Sequence, residues 1–380
     1  MKVLVAPDKF AGTLSAVEAA AAIAAGWRRT APDDELVEVP LADGGPGFLD
    51  VVHAALGGDL LERTVSGPLR ERVAAQVLLV ATTAYVESAQ ACGLHLVPEP
   101  RDPQVSTTYG VGELVQAAID AGATKVVLGL GGSASNDAGA GLLAALGATA
   151  VDATGADATR LLAAGGGGLR DVTRVDLSAA LAAVAGVELV AASDVDNPLL
   201  GLRGATNGFG PQKGADDAKL MWLEGSLESF VAAVGRRTAG KDPAVALGAG
   251  AAGGLGYALL HLGASRVPGI ATVLETVELA RRVGECDLVV TGEGAFDWQS
   301  LRGKVVSGVA EAALDQGRGC VVLAGRVEVG RREYAASGVS GAYAVVDDLR
   351  DRGLPASAAF LDPALHLADL AARAARTWSR

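Results

Sequence analysis

The chain opens on a short apolar run, Val3–Ala6, stopped by Pro7, and then changes period. An alanine-rich helix is predicted from Ser15 to about Arg29, with Glu18 three residues after Ser15 completing a capping-box pattern. Leu36–Val39 reads as a second strand, followed by the turn Leu41-Ala42-Asp43-Gly44-Gly45 and a helix from about Pro46 to Leu56. The far end repeats the alternation, with strands at Leu288–Thr291, Cys320–Ala324 and Ala342–Val346 and helices near Lys304–Gln316 and Pro363–Trp378. Short apolar strands alternating with helices predict a mostly parallel sheet covered on both faces.

The middle of the chain has a different pattern. Leu60–Ser66, Arg72–Leu79 and Ala84–Glu87 are strand-like with few helix signals between them, as in an antiparallel meander. Helices then follow at Gly112–Ala121, Gly139–Gly147 and about Asp216–Arg236, with strands at Lys125–Gly129 and Glu188–Ala192. The predicted fold class is α/β with two domains. Residues 1–58 and 266–380 form an outer, flavodoxin- or Rossmann-like, mostly parallel domain, and residues 59–265 form an inserted α/β domain.

Composition narrows the function classes. The chain has 380 residues, half of them hydrophobic, and 51 glycines, which excludes disorder and fibres and suits two or three globular domains. A net charge of −12 repels nucleic acid and anionic membranes. Cys92, Cys286 and Cys320 form no CxxC pair, as expected of a reducing compartment, and His53, His95, His261 and His366 are too scattered for a zinc motif. The N-terminal apolar run is too short for a signal peptide. The one long uncharged stretch, from Pro243 to Ser265, holds six glycines and lacks the density of large apolar residues that favours membrane insertion. A cytoplasmic protein is expected, with a homo-oligomer left open.

Ligands of open parallel sheets collect at the carboxyl ends of strands, so the residues just after each outer strand are the first candidates. They are Asp8 and Lys9, then Asp43, then Glu293 and Asp297. Carboxylates converging on one edge repel each other unless cations compensate them, which suits Mg²⁺-assisted phosphoryl transfer better than hydride transfer. The bland alternative is that each Asp caps a helix or makes a turn. The segment Gly129-Leu130-Gly131-Gly132-Ser133-Ala134-Ser135-Asn136-Asp137 follows a strand and opens a helix, a context that cradles phosphate, although it lacks a Walker A ending. Gly248-Ala249-Gly250-Ala251-Ala252-Gly253 matches GxGxxG, but the apolar run before it is very short, and close packing of the following helix is the preferred reading. Lys9, Lys213 and Lys304 sit beside these motifs in a chain with only 7 lysines against 25 arginines, and a compact ammonium suits a phosphate oxygen. Asp194 and Asp196 close a strand and could share a metal or supply a base, or could simply form a turn before Pro198.

Together the stretches APDKFAGTLSA, LADGGPG, STTYGVGEL, GLGGSASNDAGAG, SDVDNPLLG, FGPQKGA, GAGAAGGLG and TGEGAFDWQSLRGK resemble, in order and over nearly the whole chain, the bacterial ATP-dependent glycerate kinases. The resemblance implies ATP:D-glycerate phosphotransfer with Mg²⁺, and 2-phosphoglycerate is expected ahead of 3-phosphoglycerate. Departures from the family pattern are local: Pro46 stands where many relatives have Glu, and Phe296 and Trp298 stand where others are smaller or more polar. On this reading Asp8, Lys9, Asp43, Asp194 and Asp297 are the catalytic candidates, and Asp194 and Asp297 are also the metal candidates. Gly131, Gly132, Ser133, Ser135, Asn136, Asp137, Lys213, Glu293 and Lys304 are expected to hold the nucleotide. Two domains around such a site predict hinge closure that excludes water from the phosphoryl group. A kinase of another small hydroxy acid, and a non-catalytic nucleotide- or metabolite-binding regulator, are the alternatives.

Overall fold

The computed structural model describes every residue except 11, 236–241, 302 and 380. Two compact units emerge: Met1–Asp43, Asp50–Gly57 and Ile270–Arg380 form the first, and Gly44–Leu49 with Gly58–Gly269 form the second.

The first unit is built on five parallel strands in the spatial order Gly341–Ala344, Gly319–Val327, Leu288–Phe296, Lys2–Val5, Glu35–Glu38. The alternation at the two chain ends predicts a parallel sheet, and its order in chain numbering is the 2-1-3-4-5 arrangement of doubly wound, flavodoxin-like sheets. The central strands read as continuous apolar runs because both their faces are buried: Val3, Val5, Val290, Val321 and Leu323 pack in one core with Ile23, Trp27, Leu367 and Leu370. The capping box at Ser15 forms, with the Glu18 amide donating to Ser15 Oγ and the Ser15 amide donating to Glu18 Oε2.

Two strand ends differ from the sequence expectation. The strand that starts at Leu288 runs past Thr291 to Phe296, through Gly292 and Gly294. Glycine lowers strand propensity, so the pattern reads as a loop, yet here it permits a close approach of two backbones. A Cβ on Gly292 would lie 2.1 Å from the Leu323 carbonyl oxygen of the neighbouring strand. The strand expected at Ala342–Val346 ends at Ala344, and a helix, Val345–Asp351, follows without a loop.

The second unit carries a six-stranded sheet ordered Ser265–Val267, Glu188–Ala192, Lys125–Gly129, Thr83–Glu87, Arg72–Val80, Asp59–Ser66. The last three strands are the antiparallel meander predicted, and the others pair in parallel. Ser265–Val267, with Arg266 at its centre, is an edge strand that the sequence does not announce, and the expected boundary at 265 leaves Arg266 and Val267 outside this unit. A short antiparallel pair, Thr149–Val151 with Arg174–Asp176, is also absent from it, being three residues on each side and so too short to show a period. The long helix of this unit spans Asp217–Val234, and its expected end at Arg236 lies outside the described residues.

Candidate active site

In the first unit the strand order reverses between Lys2–Val5 and Leu288–Phe296, and a cavity of about 590 Å³ opens at this side of the sheet. Its polar lining includes Asp8, Lys9, Asp43, Glu293, Asp297 and Lys304. Backbone pairing beyond the strands puts several of them there. The Ala6 amide donates to the Val290 carbonyl and the Asp8 amide to the Gly292 carbonyl, on either side of Pro7, which has no donor to offer. The Val39 amide donates to the Val5 carbonyl and the Leu41 amide to the Pro7 carbonyl, so the chain after the second strand runs beside the chain after the first. Asp43 is thereby delivered to Lys9, whose Nζ lies 3.3 Å from Asp43 Oδ1 and 3.8 Å from Asp8 Oδ1.

The carboxylates are not equivalent. Asp8 is 8% exposed, and burial pushes its carboxyl up to about 6; Asp43 pushes the same way, while Lys9 and Lys304 oppose. Glu293 is pushed further, to about 7, again chiefly by burial, with Asp8 and Asp297 adding to the rise and Ser300 and Lys304 opposing it. Its Oε1 is buried and has no hydrogen-bond partner among the described residues. Asp297 closes a turn: its Oδ1 accepts from the Gln299 amide (2.7 Å) and the Ser300 amide (3.2 Å), the structural job that an Asp in such a loop often has. Lys304 Nζ lies 3.3 Å from Gln299 Oε1, and Lys304 is the N-cap of the helix Val305–Asp315. No side chain among the described residues caps that helix, so its first amides add positive potential next to a lysine of the cavity.

The other expected site residues belong to the second unit. Gly131 and Gly132 lie toward the surface, and Asp194 is exposed. Ser133, Ser135, Asn136 and Asp137 are buried. Asp137 accepts from the Thr108 amide (2.8 Å) and hydroxyl (2.9 Å) and from the Gly139 and Gly141 amides (3.0 and 3.3 Å). Asn136 Nδ2 donates to Thr206 Oγ1. Lys213 is only 3% exposed, and its ammonium donates to Ser133 Oγ (3.0 Å) and the Ser135 carbonyl (2.6 Å), so it ties the glycine-rich loop down from inside. Burial lowers this lysine to about 8. The GxGxxG segment packs on the same loop: a Cβ on Gly253 would sit 1.9 Å from the Ser135 carbonyl oxygen, and the Gly253 carbonyl accepts from the Ala138 amide. Its glycines therefore serve close packing, the reading preferred from the sequence.

Sequence reasoning passed over Arg326 and Thr13, which also line the cavity, together with an apolar wall contributed by residues beyond Ala344. Arg326 lies near the end of the strand Gly319–Val327, so the strand-end rule that found Asp8 could have found it.

A family model for the glycerate kinases matches residues 3–379. The chain belongs to the glycerate kinase family. It is 41% identical over 350 residues to a glycerate kinase of Bacillus subtilis (strain 168), covering 91% of this chain and 90% of that protein. It is 42% identical over 329 residues to a glycerate 2-kinase of Escherichia coli (strain K12), covering 86% and 85%. The crystal structure of a putative glycerate kinase 2 from Salmonella typhimurium LT2 superposes with a TM-score of 0.80 at 36% identity, covering 99% of this chain and 98% of that one. As a member of the glycerate kinase family, the protein is a phosphotransferase with an alcohol group as acceptor, acting on small molecules with ATP as co-substrate. No helix among the described residues is long and apolar enough to cross a membrane.

Proposed function

We propose that this family member transfers the γ-phosphoryl group of ATP to D-glycerate, with Mg²⁺, in the cytoplasm, and that the product is 2-phosphoglycerate. The observation that carries the chemistry is the cavity in which Glu293 and Asp8, both held above the usual carboxylate range, share space with Lys9 and Lys304. A carboxyl near neutrality is matched to accepting a hydroxyl proton around pH 7, which makes Glu293 the first choice for the base and Asp8 the second. Lys9 and Lys304, with the uncapped helix start, neutralise charge on the transferring phosphoryl group and on the glycerate carboxylate.

Among the described residues no group of three or more His, Cys, Asp or Glu side chains is placed to hold a metal. This donor set still fits Mg²⁺, which takes one or two carboxylates and completes its shell with water and substrate phosphate. Asp297, whose Oδ2 the turn does not use, and Asp43 are the carboxylates in the cavity that would hold it. When bound, the ion supplies charge neutralisation on the β- and γ-phosphates. On the second unit, the accessible Gly131, Gly132 and Asp194 keep the nucleotide and metal roles proposed for them, whereas Ser133, Ser135, Asn136, Asp137 and Lys213 give that loop its shape.

Support for the 2-position comes from the Escherichia coli relative, a glycerate 2-kinase. Incubation with ATP, Mg²⁺ and D-glycerate should release ADP and give a phosphorus NMR signal coupled to the single proton on C2. Coupling to the two C3 protons instead would overturn the regiochemistry, and ADP release only with another acid from a hydroxy-acid panel would overturn the substrate. Asp297→Asn should cost about a hundredfold in turnover and raise the Mg²⁺ concentration needed for half-maximal rate. Asp194→Asn is expected to act in the same direction. Near-wild-type turnover in both folded variants would remove these residues from the metal assignment.

A further inference from the structure

The carboxylates and lysines account for only part of the cavity. Apart from Thr13 and Arg326 the remainder is apolar, and much of it is one wall: Val345 and Val346 open the helix Val345–Asp351, Ala356, Ala359 and Phe360 belong to the short turn Ala356–Phe360, and Leu367 comes from the helix Pro363–Trp378. Two chemically different halves in one continuous volume call for a ligand with two different ends. D-glycerate is a three-carbon acid whose every carbon carries oxygen, so the apolar wall has nothing to offer it, and it would fill a small part of about 590 Å³. ATP has the required asymmetry, with an anionic tail for the lysines and a flat heteroaromatic ring for the wall.

Phe360 strengthens the case. It is 73% exposed although it lines the cavity, and an aromatic face left in water beside small alanine side chains is a surface that a planar ring can cover. The wall also lies where topology places ligands, since Val345 directly follows the carboxyl end of the strand Gly341–Ala344 in the same parallel sheet.

We infer that the apolar half of this cavity, walled by Val345, Val346, Ala356, Ala359, Phe360 and Leu367, is the adenine subsite, with Phe360 stacking on the purine. The inference rests on the ATP-dependent reading above and adds to it where the base sits. Two variants and a binding readout test it. Phe360→Ala removes an exposed side chain at little risk to folding, and Ala359→Trp fills the slot; circular dichroism melts check that each is folded.

Each folded variant should raise the KM for ATP, and the calorimetric Kd for ADP, about tenfold, while the KM for D-glycerate and kcat at saturating ATP stay within about twofold. Adenosine alone should compete with ATP in the wild-type protein and lose that competition in Phe360→Ala. Because ADP binding is measured without an acceptor, a protein that binds ADP in a Phe360-dependent way yet ignores D-glycerate would overturn the substrate reading and keep this one. Unchanged ADP affinity in Phe360→Ala together with any folded filling variant would overturn the subsite.

Discussion

Replacing Glu293 by glutamine should lower kcat/KM about a thousandfold and, at pH 8, raise the melting temperature. The first effect follows from proton transfer: the amide keeps the shape of the side chain but cannot accept the hydroxyl proton. The second follows from burial. The Glu293 carboxyl moves from 4.5 to about 7 because its charged form is poorly solvated, and among the described residues no donor compensates its buried Oε1. A carboxyl whose folded value lies above its unfolded one favours folding when protonated. The penalty is therefore absent below about pH 4.5, grows as pH rises towards 7, and is complete above it. Glutamine removes the penalty, so the variant gains on the order of 1–3 kcal/mol at pH 8 and nothing near pH 4.5. The wild-type rate should fall as pH drops through 7 and again through 6, where Asp8 takes up its proton, and the upper limb should vanish in Glu293→Gln. Thermal melts at pH 4.5 and 8 with a pH–rate profile decide the matter. Unaltered turnover, or a melting temperature lowered at pH 8, would refute the role given to this carboxyl.

The outer sheet was legible from sequence because its three central strands are buried on both faces, so Val3–Ala6, Leu288–Thr291 and Cys320–Ala324 appear as unbroken apolar runs. Legibility fails where a backbone need outweighs propensity, as at Gly292, or where a short edge strand carries a charge in its middle. Arg266 is such a residue, held by Asp196 (2.6 Å) and the Ser193 carbonyl (3.1 Å), both distant in sequence. The acidic residues after the first-unit strands were legible through one topological rule, which needs only the strand ends. What the rule cannot supply is burial. Asp137 and Lys213 have the composition of a phosphate cradle, yet their partners lie 29 and 80 residues away at Thr108 and Ser133, and it is these distant groups that turn both side chains inward. The apolar wall was hidden for a related reason. Leu367 and its neighbours look like the inner face of an amphipathic helix, and only the folded sheet brings them to the cavity lined by Asp8 and Glu293.

That difference between cradle and core gives Asp137 the largest expected effect on stability. Its carboxylate is fully buried and takes four hydrogen bonds, from Thr108 twice and from the Gly139 and Gly141 amides. Burial pushes its carboxyl up, and those donors pull it down. Alanine would leave three buried amides and a hydroxyl unpaired at the turn that starts the helix Ala140–Ala145, at a cost of about 3–5 kcal/mol. Against a total stability of roughly 5–15 kcal/mol, such a loss shows as a large drop in the urea midpoint or as a failure to fold. Asp137→Asn keeps one accepting oxygen but turns an NH₂ toward amide donors, so it should fall between the two and stay folded. If the residue shapes the loop, as its partners indicate, the asparagine variant loses stability while its KM for ATP remains within about twofold of wild type. A carboxylate in direct contact with the nucleotide would give the opposite pattern, wild-type stability with weakened ATP binding, and that result would return Asp137 to the ligand-binding residues.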